Sequence, residues 1–566
     1  MKMTGAQAII ECLKQENVEV IFGYPGGSVL TLYDALQTAK YPHVLPRHEQ
    51  GAVHAADGYA RSTGKVGVCI ATSGPGATNL ITGIATAYMD SIPLVAITGQ
   101  VAVSLIGRDS FQEADIRGIT TPVTKHNYLI KDVNDLPKAF KEAFYIARTG
   151  RPGPVLIDIA KDIFAAEIDF EYPEEVKMRG YKPVAAGDIT AVEEVYQELT
   201  AAKKPLFFVG GGINLSDTSE FIREIVSYTG IPVVSSLMGL GCISEDDPRY
   251  FGMIGMHGTY GGNMATTETD LLIGLGVRFD DRVTGLLKEF APKAKIVHFD
   301  IDPAEVNKNV RANIRVIGNL QWSLDSFKEK IMNRSSADWH EQVNPWYETI
   351  LAWKKDKPLF YKRNSEKILP QAVLESISNI TAGEAIIVTD VGQHQMWTAQ
   401  FFNFKHPRSF LTSGGLGTMG YGVPAALGAQ VGNPDKPVVC ICGDGGFMMN
   451  CQELIAIADL NLPVKIIILN NQYMGMVAQW QRSFYKKNYA HSSLKTKADF
   501  VKISEAMGVP AFRIEKTEKM DEELERALKT EGPVLVEIRI PEDEDVLPMV
   551  PAGARLDQMI MGGSSE

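Results

Sequence analysis

Short runs of β-branched and apolar residues alternate with helix-like stretches along almost the whole chain, a pattern that few fold classes accommodate. VEVIFGYPGG is followed by SVLTLYDALQTA, and VGVCIATSGPG is followed by ATNLITGIATAYMD. The pattern returns with PLFFVGGG and KIVHFDIDP, and again with PVVCICGDGG and PVKIIILNN. Strands that alternate with helices form parallel sheets that are covered by helices on both faces. The sequence therefore predicts an α/β protein with doubly wound parallel sheets.

Three blocks of this pattern are separated by stretches of different composition. We predict three domains and a C-terminal lid or tail, at residues 1–170, 190–335, 365–545 and 546–566. The charged, proline-containing stretch at 171–188 is typical of a linker, and the basic, aromatic stretch at 346–364 is predicted to be a connection rather than a core element. Because ligands of open α/β sheets bind at the carboxyl ends of the strands, the residues that follow each strand are the candidates for chemistry.

Composition and charge exclude several classes of function. The 566 residues carry a formal net charge of −12, which disfavours nucleic acid and anionic membranes as partners. There is no run of about 18 apolar residues, so no membrane span is expected. The six cysteines form neither a disulfide framework nor a paired zinc pattern, and they indicate a reducing cytoplasm. The N-terminal sequence predicts a helix that is capped by Thr4 and Gln7 rather than a signal peptide.

The third block contains the most specific chemical pattern. One predicted strand ends at Gly443-Asp444-Gly445-Gly446 and the next ends at Asn470-Asn471, so Asp444 and Asn471 are expected at one edge of a sheet. A carboxylate and an amide oxygen, together with a nearby backbone carbonyl, are ligands that suit Mg²⁺. Gly445 and Gly446 leave the start of the following helix open to a diphosphate. The alternative is a pair of Asx turns at the strand ends, but the strand–helix–strand spacing favours a metal–diphosphate site. Asn450 and Glu453 are spaced as a helix cap.

Two glycine clusters are weaker signals. Residues 415–420 match the GxGxxG pattern, but the acidic residue expected about 20 positions later falls at Asp435 in a turn-like NPDKP, so we interpret the match as a decoy. Residues 73–79 follow a strand and begin a helix, but they lack the Gly-Lys-Ser/Thr of a P-loop that binds nucleoside triphosphates.

The spacing from GDG to NN resembles the thiamine diphosphate enzyme family, and motifs elsewhere in the chain extend the resemblance. The chain is similar, over nearly its whole length, to the catalytic large subunits of acetohydroxyacid synthases, also called acetolactate synthases. The motifs are GYPGG (23–27), RHEQGA (47–52), SGPGATN (73–79), FQEAD (111–115), TKHNY (124–128), RFDDRVTG (278–285), GGLGTMGYG (414–422), QYMGMVAQWQ (472–481) and PMVPAGARLDQMI (548–560). The resemblance implies a pyrimidine-binding first domain, an FAD-binding-like central domain and a diphosphate- and Mg²⁺-binding third domain.

The resemblance also implies roles for individual residues. Glu49 corresponds to the glutamate that hydrogen-bonds the aminopyrimidine ring of thiamine diphosphate, where a carboxylate can assist proton transfer. Gly417 and Met419 correspond to an acceptor carbonyl and an apolar wedge for the same cofactor. Tyr473 joins Asp444 and Asn471 in the metal set. The residues expected around the substrate channel are Gly26, Phe111, Gln112, Lys161, Met476 and Trp480.

The middle block resembles the FAD-binding segment of the biosynthetic enzymes rather than the catabolic ones. The expected polar contacts to a structural, redox-inactive FAD are Arg151, His257, Arg278 and Asp300. The alternative for RFDDR is a salt-bridge network with no ligand.

The resemblance implies that pyruvate is decarboxylated on thiamine diphosphate and that the hydroxyethyl unit is transferred to a second pyruvate or to 2-ketobutyrate. The products would be 2-acetolactate or 2-aceto-2-hydroxybutyrate, in the biosynthesis of valine, leucine and isoleucine. The resemblance further implies a homodimer or homotetramer, because Glu49 of one chain serves the diphosphate site of another, and a possible small regulatory subunit. The alternatives are another thiamine diphosphate carboligase, a flavin-using pyruvate oxidase, and a non-catalytic scaffold that binds FAD and diphosphate.

Overall fold

The computed structural model describes residues 1–184, 186–363, 365–495 and 497–562. The predicted linker, connection and tail therefore each include positions outside the described residues, namely residue 185, residue 364 and residues 563–566.

The first domain begins with the predicted capping box. The Thr4 hydroxyl accepts from the Gln7 amide, and the Gln7 side chain accepts from the Thr4 amide, which fixes the start of the first helix. The elements of this domain are β1 (Lys2–Thr4), α1 (Gly5–Gln15), β2 (Ile21–Gly23), α2 (Leu30–Thr38), β3 (His43–Val44), α3 (Glu49–Thr63), β4 (Gly67–Ala71), α4 (Pro75–Asn79), α5 (Ile81–Met89), β5 (Leu94–Gln100), α6 (Ile116–Thr120), β6 (His126–Ile130), α7 (Leu136–Arg148), β7 (Pro154–Ala160) and β8 (Glu167–Asp169).

The middle domain follows a stretch in which the described residues of the predicted linker form no helix or strand. Its elements are α8 (Ile189–Ala201), β9 (Pro205–Val209), α9 (Gly211–Leu215), α10 (Ser219–Thr229), β10 (Val233–Ser235), β11 (Tyr250–Met253), α11 (Tyr260–Glu268), β12 (Leu271–Leu275), α12 (Asp281–Thr284), β13 (Lys295–Asp300), β14 (Ile314–Ile317), α13 (Leu320–Ile331) and α14 (Ser336–Asp356).

The third domain contains the strands that carry the Asp444 and Asn471 motifs. Its elements are α15 (Pro370–Ile380), β15 (Ile386–Thr389), α16 (Gln393–Phe401), β16 (Phe410–Leu411), α17 (Gly422–Gly432), β17 (Val438–Gly443), α18 (Asp444–Phe447), α19 (Glu453–Asp459), β18 (Lys465–Asn470), α20 (Gly475–Phe484), α21 (Phe500–Ala506), β19 (Ala511–Ile514), α22 (Met520–Lys529) and β20 (Val534–Arg539).

Each domain has a six-stranded parallel sheet, as the alternating pattern predicts. The orders are β3-β2-β4-β5-β7-β6, β11-β10-β9-β12-β13-β14 and β16-β15-β17-β18-β20-β19, and β1 pairs with β8 in a separate antiparallel ribbon. Counted from the first strand of each sheet, the first and third sheets share the order 2-1-3-4-6-5, whereas the middle sheet has the order 3-2-1-4-5-6. The middle order is the one found in dinucleotide-binding folds.

Helices α3 and α17 join the first and third domains through an unusually close contact. A Cβ at Gly428 would lie 1.8 Å from the carbonyl oxygen of Ala55, and a Cβ at Gly58 would lie 2.1 Å from that of Ala425. Only glycine permits this approach, and residues from both helices belong to one hydrophobic core. The start of α3, where Glu49 lies, is therefore fixed relative to the third domain of the same chain.

The predicted connection at 346–364 is wrong over its first part. Residues Ser336–Asp356 form one helix, α14, and Trp339, Val343, Trp346 and Ile350 are buried along one face of it. Pro345 lies on the exposed side, so the apolar stripe at spacings of three and four residues outweighs the missing amide. The helix lies beyond residue 335, where we predicted the middle domain to end, and packs against α10 and α11 of that domain.

The C-terminal tail is irregular, as predicted, but it is packed against the protein. Its described residues form no helix or named strand, and they pair only at an isolated bridge between Met549 and Ile560. The Val550 amide donates to the Met256 carbonyl (2.7 Å), and the Leu286 amide donates to the Ala554 carbonyl (2.8 Å). The tail thus covers part of the middle domain.

Candidate active site

A cavity of about 790 Å³ lies where the three domains meet. Its size is typical of sites for small molecules and cofactors. Among the residues of the predicted site, its lining contains Arg151, His257, Arg278, Asp300, Gly417, Met419, Asp444, Gly445, Gly446, Asn471, Tyr473, Met476 and Trp480. The cavity therefore brings together the predicted metal, diphosphate and flavin residues.

The predicted metal residues follow two adjacent parallel strands. Gly443 pairs with Leu469 in the ladder of β17 and β18, so Asp444 and Asn471 lie at the same sheet edge. Asn471 Oδ1 accepts from the Tyr473 amide (3.1 Å), and its Nδ2 donates to Gln393 Oε1 (3.1 Å). Burial raises the pKa of Asp444 to about 7, although the backbone amides of Gly445 and Gln472 act in the opposite direction. Burial without a cation is thus unfavourable for this carboxylate.

The loop that carries Gly417 and Met419 is held by a residue that the sequence reading missed. Asp390 directly follows β15, is almost fully buried, and accepts from the amides of Gly420 (3.2 Å) and Gly422 (2.9 Å). A Cβ at Gly446 would lie 2.1 Å from Asp390 Oδ1, so the glycine allows the predicted diphosphate segment to approach Asp390. The sequence does indicate this position, because Asp390 directly follows the buried strand segment AIIVT, where functional residues of α/β sheets are expected.

His394 is a second missed residue. It is buried at the cavity wall beside Gly443, and burial lowers the pKa of its imidazole to about 4, which leaves it neutral. Its Nε2 has no hydrogen-bond partner among the described residues. A buried polar atom in this state is suited to a ligand that reaches the cavity.

The cap predicted for the helix after the GDG motif is wrong. Helix α19 begins at Glu453, and neither Asn450 nor Glu453 forms the expected cap. Asn450 instead donates to the Gly420 carbonyl (2.7 Å), and both carboxylate oxygens of Glu453 accept from the Arg47 amide (3.1 and 2.9 Å). Tertiary contacts to the loop of Gly417 and Met419 and to the segment before Glu49 therefore take the place of the predicted local cap.

The part of the cavity that holds the predicted flavin residues lies at the point where the strand order of the middle sheet reverses. Gly212, after β9, donates to the Gly276 carbonyl, after β12, and a Cβ at Gly212 would lie 2.6 Å from Gly276 Cα. Arg278 follows two residues later, and its Nη1 donates to the Met89 carbonyl (3.0 Å). Ligands of open α/β sheets bind at such a reversal point. The three glycines that end PLFFVGGG (205–212) are therefore a further sequence signal for this site.

The other predicted flavin residues have partners within the protein. Arg151 Nη1 pairs with Glu305 (2.7 Å) and Asp302 (3.3 Å), and the Asp300 carboxylate accepts from the Asp302 amide (2.8 Å). His257 Nδ1 has no partner among the described residues, and burial lowers the pKa of this imidazole to about 4.

The alternative salt-bridge network in RFDDR is weak. Arg278 and Asp280 are 3.8 Å apart, as are Arg282 and Asp281, and all four side chains retain solvent exposure. Exposed pairs at such separations contribute little to stability.

Met476 and Trp480 occupy the same face of α20, four residues apart. The Arg282 guanidinium lies 5.9 Å from the centroid of the Trp480 ring, and the indole nitrogen has no partner among the described residues. Together the two side chains give the cavity an apolar wall.

The remaining predicted residues lie at a different edge, at the carboxyl ends of the first sheet. Glu49 Oε2 accepts from Asn79 Nδ2 (3.0 Å), and a Cβ at Gly76 would lie 3.1 Å from Glu49 Oε1. Gly26 packs on Thr72, since a Cβ at Gly26 would lie 2.5 Å from Thr72 Cβ, and the Gln112 backbone packs on Gly74. We call the set Gly26, Glu49, Phe111, Gln112 and Lys161 the N-terminal half-site.

None of the five residues of the N-terminal half-site lines the cavity of the same chain. Phe111 is 89% exposed, and Lys161, directly after β7, is also exposed. The two groups of predicted residues are therefore separate within one chain.

Metal ligation at the cavity would need mixed donors. Among the described residues, no group of three or more His, Cys, Asp or Glu side chains is placed to hold a metal ion. The search for membrane-spanning helices covered all of the described residues, and none of their helices is both long and apolar enough to cross a membrane.

Comparison with protein families defines the class of protein first. The N-terminal TPP binding domain of thiamine pyrophosphate enzymes matches residues 3–119, their central domain matches residues 192–327, and their C-terminal TPP binding domain matches residues 390–538. The three parallel-sheet domains are thus those of a thiamine pyrophosphate enzyme, which confirms the predicted fold class.

Curated relatives narrow the class. An acetolactate synthase large subunit of Corynebacterium glutamicum is 48% identical over 98% of this chain and 89% of its own length. The acetolactate synthase isozyme 3 large subunit of Escherichia coli is 45% identical over 98% of both chains. A probable acetolactate synthase large subunit of Methanococcus aeolicus is 46% identical over 99% of this chain and 95% of its own length. The chain belongs to the acetolactate synthase large subunit family, which confirms the predicted resemblance.

Proposed function

We propose that the chain is the catalytic subunit of an acetohydroxyacid synthase, which joins two 2-keto acids with loss of CO₂. The observation that carries the proposal is the location of Asp444 and Asn471 at one sheet edge, in the cavity that Gly417 and Met419 also line. The donors, the glycine cradle and the apolar wall suit thiamine diphosphate with Mg²⁺. The biosynthetic role we infer is in the formation of valine, leucine and isoleucine.

The residues at the metal end fit Mg²⁺ by their chemistry. Asp444 would supply a carboxylate oxygen, Asn471 an amide oxygen and Tyr473 its backbone carbonyl, which are hard oxygen donors. A divalent cation would also stabilise the charged form of Asp444, whose pKa burial raises to about 7. Gly445 and Gly446 would leave room for the diphosphate. His394 lies against Gly443, and its buried Nε2, which is unpaired among the described residues, could donate or accept a hydrogen bond.

The residues at the thiamine end would position the ring. The side chain of Met419 reaches towards the diphosphate segment, since its Cε is 3.5 Å from the site of a Cβ at Gly445. Gly417 adopts a φ of +70°, and its carbonyl is the proposed acceptor for the amino group of the pyrimidine. When bound, thiamine diphosphate supplies a carbon nucleophile and an electron sink for decarboxylation. Glu49 would exchange a proton with the pyrimidine nitrogen while Asn79 holds its second carboxylate oxygen.

The proposed flavin site fits a dinucleotide by fold and by free polar atoms. The middle sheet has the dinucleotide-binding strand order, and Gly211, Gly212 and Gly276 surround its reversal point. Arg278 and His257 line the same space, and His257 Nδ1 is unpaired among the described residues. We propose that FAD has a structural role there, with Arg151 and Asp300 as further polar contacts.

Substrate recognition would draw on both groups of residues. Lys161 offers a positive charge to a keto-acid carboxylate, and Gly26, Phe111 and Gln112 would shape the approach to the reacting carbon. Met476 and Trp480 would contact the side chain of the second keto acid. One additional methyl group against such a wall adds about 1–3 kcal/mol of discrimination, which suits a preference between pyruvate and 2-ketobutyrate.

We propose a homodimer as the smallest active unit, with a homotetramer as a possible larger assembly. The N-terminal half-site and the cavity are separate within one chain, so a second copy would have to bring Glu49 to Asp444. Exposed apolar side chains near the half-site support such a contact: Leu30 is 58% exposed and Phe111 89% exposed. The relatives are named large subunits, which supports a small regulatory subunit as a further partner. The six free cysteines fit a reducing cytoplasm.

Product analysis with pyruvate as the sole keto acid tests the proposed function. The purified chain, supplied with thiamine diphosphate, Mg²⁺ and FAD, is expected to convert two pyruvates and one proton into one acetolactate and one CO₂. Acetyl phosphate or peroxide among the products would favour the pyruvate oxidase alternative. Cofactor binding without any turnover would favour the scaffold alternative.

A further inference from the structure

A turn of three residues at the end of helix α5 bonds both arginines of the proposed flavin site through its first and third residues. We call Met89, Asp90 and Ser91 the 89–91 turn. The Met89 carbonyl accepts from Arg278 Nη1 (3.0 Å), and Ser91 Oγ accepts from Arg151 Nε (2.7 Å). Ser91 has a φ of +61°, which reverses the chain tightly enough for both contacts.

Asp90, the central residue of the turn, binds the opposite cofactor loop. Its fully buried carboxylate accepts from the amides of Gly414 (3.0 Å) and Gly415 (2.7 Å), and from Arg61 Nη2 (2.9 Å). We call residues 413–420 the thiamine loop, because they include Gly417 and Met419. One turn earlier on α5, the Thr86 hydroxyl bonds that of Thr418 (2.7 Å). Helix α5 therefore holds the thiamine loop at two points.

Packing at Gly415 leaves no room for a side chain between the turn and the loop. A Cβ at Gly415 would lie 2.8 Å from Asp90 Oδ1, 3.1 Å from Met89 Cβ and 3.2 Å from Arg278 Nη2. A displacement of Arg278 is thus transmitted to the loop through close contacts and charge-assisted hydrogen bonds.

We propose that Asp90 is a positioning residue for the thiamine loop, and that the 89–91 turn couples occupancy of the flavin site to the affinity for thiamine diphosphate. The inference rests on the proposed function, since it takes the flavin and thiamine sites from there. FAD that engages Arg278 and Arg151 fixes the turn, and the turn fixes the amides of Gly414 and Gly415. A flavin without any part in electron transfer would then still support catalysis, by ordering the loop that receives the second cofactor. The coupling is reciprocal, so thiamine diphosphate also tightens FAD binding.

Calorimetric titration of thiamine diphosphate, at saturating Mg²⁺, into the full chain freed of cofactors by dialysis tests the proposal. In the wild type, saturating FAD is expected to tighten thiamine diphosphate binding by about 5- to 150-fold, the usual range of coupling between sites. In Asp90→Asn the factor is expected to fall below about twofold, because the amide nitrogen cannot accept from a backbone N–H. In the acetolactate assay, this variant needs more thiamine diphosphate for half-saturation, while turnover at saturation changes less.

Asp57→Asn is the matched control. Asp57 belongs to the same buried cluster, since it pairs with Arg61 (2.5 Å) and accepts from the Tyr421 hydroxyl (2.7 Å). Within the described residues, none of its hydrogen bonds goes to an amide of the thiamine loop. This variant is expected to lose thermal stability and to keep the coupling. Equal loss of coupling in both variants would overturn the assignment to Asp90.

A second variant keeps the proposal testable if Asp90→Asn does not fold. Ser91→Ala removes only the acceptor for Arg151 Nε and is expected to reduce the coupling by at least about threefold, at unchanged affinity for thiamine diphosphate without FAD. Unchanged coupling in Ser91→Ala, or its absence in the wild type, overturns the proposal. If the wild type makes acetolactate and binds FAD but shows no coupling, only this inference fails. If it binds no FAD, the proposed flavin site fails as well.

Discussion

The contact between helices α3 and α17 predicts a large effect of a single methyl group. Gly428→Ala would place a Cβ 1.8 Å from the Ala55 carbonyl oxygen, whereas real Cβ contacts are essentially never below 3.0 Å. The helices would have to separate by at least the difference, 1.2 Å, and would loosen a core that the first and third domains share. Overpacking of this kind costs about 1–3 kcal/mol, and we expect a value near the upper end because the neighbour is backbone. Because α3 begins at Glu49, the displacement is also expected to lower activity.

Thermal unfolding followed by circular dichroism measures this effect. A loss of about 3 kcal/mol corresponds to a fall of about 6–12 °C in the apparent melting temperature for domains of this size. The matched control is Gly180→Ala, because a Cβ at Gly180 meets nothing within 4 Å. The control is expected to melt like the wild type. A Gly428→Ala protein that melts within about 2 °C of the wild type would refute the close contact and with it the fixed position of α3.

Three further outcomes are expected. Burial raises the pKa of Glu453 from 4.5 to about 7, so the folded protein loses stability as the pH rises through that range. Between pH 4.5 and 8, the free energy of unfolding of the wild type should fall by about 3 kcal/mol relative to that of Glu453→Gln. A difference between the two proteins that does not change with pH would contradict this expectation. Trp346→Ala should lower the free energy of unfolding, measured by chemical denaturation, by about 3–5 kcal/mol, because the indole is buried in α14. Glu348→Ala, at an exposed position of the same helix, should leave it unchanged, and equal effects of the two substitutions would argue against the buried stripe. Asp444→Asn should raise the Mg²⁺ concentration for half-maximal activity at least about 100-fold, whereas Asp435→Asn, exposed in the same domain, should not; an unchanged Mg²⁺ requirement would remove Asp444 from the metal site.

The sheets were predictable because their strands are buried on both faces. Runs such as KIIILN (465–470) carry their apolar character within five or six residues, and Gly and Asp residues mark their ends. Helix α14 was not predicted, because its buried apolar residues are two tryptophans, Val343 and Ile350, which are spread among polar residues and a proline. The apolar stripe can be recognised only from the spacing of three and four residues between its members, because the overall composition of the segment is polar.

The location of the predicted metal and diphosphate residues at one sheet edge could be predicted, because these residues follow two consecutive parallel strands. Asp390 was missed because its role is to hold the loop of Gly420 and Gly422, some 30 residues away. Glu453 was misread as a local cap because nothing near it in sequence indicates its bond to Arg47, 406 residues earlier. Long-range contacts of single polar residues leave no periodic signal.

Recovery of activity from two inactive variants tests the division of the active site between chains. Glu49→Ala removes the acid of the N-terminal half-site, and Asp444→Ala removes the proposed metal ligand of the cavity, so each homodimer should be inactive. When the two chains are co-expressed with different affinity tags, half of the dimers are hybrids, and each hybrid holds one site that is free of both substitutions. The mixed population should therefore form acetolactate at about one quarter of the wild-type rate. A mixture as inactive as either variant alone would contradict an active site shared between two copies of the chain.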